Sequence, residues 1–105
     1  MIVLVPFPFT DLSGKKVRPC FVLYEQKNGE DCIVAFISSV KIARSGAFDI
    51  QIKATKMNGL KLDSVIKMDK IATLQKKIIL GELGNLEPAT ISMANAKLKK
   101  IFGLK

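Results

Sequence analysis

Two apolar segments, residues 19–24 (PCFVLY) and 32–37 (CIVAFI), flank Lys27-Asn28-Gly29-Glu30, and this arrangement constrains the fold more than any other stretch. Both segments are dense in β-branched and aromatic residues, which suit pleated strands. Asn-Gly is a pair that readily supplies the positive φ angles of a tight hairpin, so the spacing predicts two antiparallel neighbours.

The remaining chain extends this pattern. Residues 2–7 read as a strand, with Pro6 and Pro8 suiting an edge or a bend. Residues 10–17 (TDLSGKKV) form a polar loop with Gly14 at its tip, and residues 38–46 form a second. Residues 47–54 alternate, with Phe48, Ile50 and Ile52 on one face and Asp49, Gln51 and Lys53 on the other. Asn58-Gly59 marks a turn, and residues 64–68 and 78–83 read as two further short strands. After Pro88 the period changes. Ile91, Ala94, Leu98, Ile101 and Phe102 recur at helical spacing, with Pro88 at a position that tolerates its missing N–H and Gly103 as the stop. About six short strands over residues 2–83 and one helix over 87–102, without βαβ alternation, predict a mainly β fold with a C-terminal helix. Its sheet should be small, antiparallel and strongly bent, or a partial barrel. The 105 residues suit one domain, 1–105.

Composition then narrows the function. With 49% hydrophobic and 25% charged residues the chain is globular rather than disordered. No apolar run is long enough for a membrane span, and the apolar start lacks the basic region of a signal peptide. Two cysteines are too few for a disulfide framework, so the cytoplasm is the expected compartment and Cys20 and Cys32 read as core residues. The chain has no histidine, which excludes imidazole bases and His-ligated metals, and no glycine-rich phosphate loop. Neither a metal nor a cofactor is expected. A net charge of +8 biases the protein toward polyanions.

Residues 2–23 (IVLVPFPFTDLSGKKVRPCFVL), residues 33–39, residues 63–74 (DSVIKMDKIATL) and the terminal helix together resemble the MazF/PemK toxins of bacterial toxin–antitoxin pairs. The most specific part is the Arg18-Pro19 step between a Gly/Lys loop and an apolar strand. The resemblance implies an SH3-like barrel, a homodimer, and metal-independent, sequence-specific cleavage of single-stranded RNA, restrained by a cognate antitoxin. It also implies Arg18 as the active-site arginine, and Ser38 or its neighbour Ser39 at the position of a catalytic Thr or Ser. Lys67 and Asp69, two apart on one strand, are expected to point to the same side, with Asp69 the candidate base. Lys15, Lys16, Lys41 and Arg44 in the two polar loops are expected to line a groove for the RNA backbone, with Ser39 and Lys67. The alternatives are a non-catalytic member of the fold that binds nucleic acid or protein, and a gyrase-directed toxin; the Arg18–Ser38 combination favours the ribonuclease over the latter. Ala72 and Gln75 stand where many members carry Arg and Asp, and this bears on rate and sequence preference more than on fold.

Overall fold

The computed structural model describes residues 1–7, 16–39 and 46–105. Six strands form one sheet: β1 (Ile2–Phe7), β2 (Lys16–Glu25), β3 (Asp31–Ser39), β4 (Asp49–Ile52), β5 (Ser64–Gln75) and β6 (Gly81–Gly84), followed by α1 (Pro88–Ile101). Their order across the sheet is β4-β5-β3-β2-β1-β6, all pairs being antiparallel. No ladder joins β4 to β6 among the described residues, so the expected barrel is partial.

The predicted hairpin is β2–β3, with Phe21 opposite Ala35 and Val22 opposite Val34. Its turn differs from expectation. Gly59 and Gly103 are the glycines with positive φ among the described residues, and no other residue type has one, so Asn28-Gly29 is not a two-residue primed turn. The connection is longer: Gln26 N–H donates to Asp31 O (3.1 Å), and Asp31 N–H donates to Gln26 Oε1 (3.0 Å). Gly29 is needed for space instead, since a Cβ there would stand 2.1 Å from Gln26 Oε1.

Strand alternation builds two apolar clusters on opposite faces. Ile2, Phe21, Ala35, Ile37, Ile50, Ile66 and Met68 form the inner one, which Leu60, Leu86 and Ala94 of α1 cover. Val3, Val5, Cys20, Cys32, Val34 and Leu74 form the outer one. One strand serves both because β5 is longer than the expected residues 64–68 and is interrupted. Phe36 pairs with Lys67 and Ala35 with Ile71, so Met68, Asp69 and Lys70 stand opposite a single step of β3. Such a bulge bends a strand and resets which face its side chains take. Beyond it, Lys76–Ile78 form a 3-10 turn, so β6 begins at Gly81 and not at 78.

The gap between the sheet's edges is filled by the turn after β4. Asn58 is buried at 5% exposure. Its Oδ1 accepts from Thr55 N–H and Leu60 N–H (both 3.0 Å), its Nδ2 donates to Lys53 O (2.8 Å), and its own N–H donates to Thr55 Oγ1 (3.1 Å). Gly59 follows at φ +70°, where a Cβ would lie 2.3 Å from Leu83 O, and Asn85 N–H donates to Met57 O (2.8 Å). The turn therefore belongs to β4 by chain and to β6 by contact.

Asn58→Ala strips partners from two backbone N–H groups and one carbonyl in a closed site. Each such loss costs about 1–3 kcal/mol when buried, so urea unfolding should show a destabilisation of about 2–4 kcal/mol with an unchanged denaturant slope.

Candidate functional site

The Arg18-Pro19 step shapes the site through hydrogen bonding. Val22 N–H donates to the O of Met1, just before β1. By the two-residue alternation, the nitrogen of Pro19 then faces β3 and has no hydrogen to give. The β2–β3 ladder stops beside it, at Cys20 opposite Phe36. Beyond that rung the two strand ends pair with β1 and β5 but not with each other, and a groove of about 490 Å³ opens there. Leu4, Pro19, Ile37, Leu60 and Leu83 give it apolar walls, and Arg18, Ser39, Lys61 and Ser64 supply the polar groups. Val17 and Leu62, 48% and 58% exposed, also line it.

Arg18, half-buried, sits where two faces meet. It lines the groove, yet alternation also puts it on the outer face, opposite the buried Val5 of β1. Ser38 shares that outer face at the same level, two residues past Phe36 as Arg18 is two residues before Cys20. Ser39 takes the inner face and lines the groove opposite Ser64. The two adjacent serines are thus separated by the sheet, and Arg18 borders both. Lys16 and Arg18 are within β2, and Ser38 within β3, rather than in loops.

Lys67 also projects from the outer face, because its neighbours Ile66 and Met68 enter the inner cluster. Its ammonium pairs with Asp49 Oδ2 at 2.8 Å. Asp69 lies in the β5 bulge, where no residue of β3 or β4 pairs with it, stands exposed, and its carboxylate makes no hydrogen bond or ion pair among the described residues. Lys15, Lys41 and Arg44 lie outside the described residues. Sequence reasoning missed Lys61, Ser64 and Asp49. Lys61 follows the Asn58-Gly59 turn and could have been found as its exit; the other two depend on strand register.

Cys20 and Cys32 are buried free thiols, in keeping with core roles. Burial pushes Cys20 up to about 12 and raises Cys32 as well. Thiolates are the nucleophilic form, so neither serves chemistry near neutral pH. Among the described residues no group of His, Cys, Asp and Glu could hold a metal ion, and no helix is long and apolar enough to cross a membrane.

Residues 1–102 match the model of the PemK-like, MazF-like toxins of type II toxin–antitoxin systems, and the chain belongs to that family. Among solved structures it is similar to the Mycobacterium tuberculosis toxin MazF-mt6, with a TM-score of 0.78 at 21% identity, covering 99% of this chain and 97% of that one. It is similar also to a mycobacterial endoribonuclease solved with its cognate antitoxin, with a TM-score of 0.76 at 18% identity, covering 99% and 92%. At such identities these two likenesses establish the fold. No curated protein sequence matches the chain.

Iodoacetamide at pH 8 should leave both thiols of the native protein unmodified over hours and label both once guanidinium unfolds it. Mass spectrometry of the intact chain reads the difference.

Proposed function

We propose that the protein is a metal-independent endoribonuclease that cuts single-stranded RNA through the ribose 2′-OH, works as a homodimer in the cytoplasm, and is restrained by an acidic antitoxin. The observation that carries this reading is Arg18: the one arginine of the described residues, at the rim of an open groove, level with Ser38, in a chain of this toxin family.

In the proposed reaction the 2′-oxygen attacks the adjacent phosphorus. The bond from phosphorus to the 5′-oxygen breaks, the 2′-hydroxyl gives up its proton, and the leaving oxygen takes one. The products are a cyclic phosphate and a 5′-hydroxyl. Negative charge builds on the phosphoryl oxygens in the transition state, and a guanidinium meets it with a planar fork of donors. Arg18 is accordingly assigned to charge stabilisation and Ser38 to a neutral hydrogen bond to the phosphate. Ser39, Lys61 and the apolar walls would receive the neighbouring nucleotide, while Lys16 and Lys67, with Lys15, Lys41 and Arg44, would neutralise the flanking backbone. Asp69 is the proposed base on sequence position alone.

Purified protein should cut a long single-stranded RNA in the presence of EDTA, leaving 5′-hydroxyl ends. Arg18→Ala should lower the rate by about a thousandfold, the scale of losing one donor to a developing oxyanion, with the fold intact by circular dichroism. Ser38→Ala should cost less. Cleavage abolished by EDTA, or unchanged in Arg18→Ala, refutes the mechanism.

The antitoxin follows from charge as well as family. At +8 the toxin attracts an acidic segment, whose carboxylates suit Arg18 and Lys61 and whose apolar side chains suit the walls between them. The similar endoribonuclease solved with its cognate antitoxin supports such a partner. Titrating an antitoxin peptide into toxin bound to labelled, uncleavable RNA should displace the RNA fully; a ternary complex at saturation would rule out a shared groove.

A further inference from the structure

Asp49 has no part in the chemistry above, yet it is the most deeply buried carboxylate of the two ion pairs in the described structure. Its side chain is 3% exposed, and one oxygen, Oδ2, takes two donors: the Lys67 ammonium at 2.8 Å and Gly46 N–H at 2.7 Å. The ladders set these groups in a single row, with Asp49 opposite Lys67, Lys67 opposite Phe36, and Phe36 opposite Cys20. Arg18 and Ser38 occupy the next level of the same face. Gly46 is where the chain re-enters after the segment that carries Lys41 and Arg44.

Placing a carboxylate on a face meant for phosphates is electrostatically unfavourable, because it cancels the charge that Lys67 would offer. What the carboxylate contributes is direction. A lysine ammonium is a point charge on a flexible stem, and ordering that stem when a ligand arrives subtracts from binding and from alignment. A buried anion fixed to the backbone at Gly46 settles the orientation beforehand, and Lys67, 20% exposed, still reaches solvent. We propose that Asp49 is a positioning residue of the RNA site, holding Lys67 beside Phe36 so that its ammonium meets a phosphate flanking the scissile one in a set geometry. This rests on the ribonuclease reading above.

A double-mutant cycle tests it, using wild type, Asp49→Asn, Lys67→Met and the double variant. Asparagine keeps the size and an acceptor for Gly46 N–H but loses the charge that grips Lys67. Single-turnover cleavage at saturating RNA should fall about tenfold in Asp49→Asn, within the cost of a slightly misplaced group. Affinity for an uncleavable RNA should hold or rise, since a negative charge leaves the site. In the Lys67→Met background Asp49→Asn should leave the cleavage rate unchanged, while affinity again holds or rises. The same loss in both backgrounds would mean that Asp49 acts through Gly46 and the fold, and no loss in either would mean no positioning; each overturns the proposal while leaving the ribonuclease standing. A wild type that cuts no RNA overturns both. Should Asp49→Asn fail to fold, Lys67→Arg, which keeps the ion pair, should retain a rate that Lys67→Met loses, and equal rates in those two would refute the proposal.

Discussion

The whole sheet depends on one buried amide. Asn58 joins Lys53, Thr55 and Leu60 through a single side chain, and this lets a short turn span from β4 to β6 where no ladder does. A six-stranded sheet with open edges has little to prevent it from flattening or pairing with another chain. The turn fixes its curvature instead: Gly59 and Gly84 carry no Cβ where the turn and β6 backbones come closest. Leu60 then falls into the inner core and Lys61 and Leu62 onto the groove. Fold and site therefore share a wall.

Around that wall the charges divide by face. The groove is mostly apolar, with Arg18 and Lys61 among its lining, and can receive a flat base or an apolar anchor while holding a phosphate or carboxylate. Next to its apolar cluster the outer face carries polar groups ordered by rungs, with Lys67 gripped by Asp49 and Ser38 level with Arg18. Arg18 borders both, so it is the residue through which a ligand in the groove and one on the outer face would interact.

Local pattern made much of this legible. Strand β1, the β2–β3 pairing, the inward set Phe48, Ile50 and Ile52, and a helix opening at Pro88 follow from alternation and capping and appear as expected. The Arg18-Pro19 step was legible at the head of an apolar strand, and Arg18 lines the groove. What did not follow depends on contacts distant in sequence. Nothing in residues 64–75 announces that Met68 to Lys70 leave the β3 ladder, so Asp69 reads as an ordinary strand residue when it stands in a bulge. Asp49 seemed an ordinary polar strand residue, because its partner lies 18 residues on, across a pairing that only the fold defines. The Asn28-Gly29 pair misled in conformation though not in topology, since Gln26 supplies from its side chain the acceptor that a tighter turn would supply from its backbone.

The proline in β2 has a further consequence. At Pro19 the edge of β2 that faces β3 lacks a donor, so among the described residues the ladder does not zip past Cys20 and Phe36 to close the groove. If the proposed antitoxin fills that groove, its abundance and lifetime set how long the site stays blocked. A short-lived plug on a long-lived receptor would then work as a timer, its interval set by the turnover of the partner.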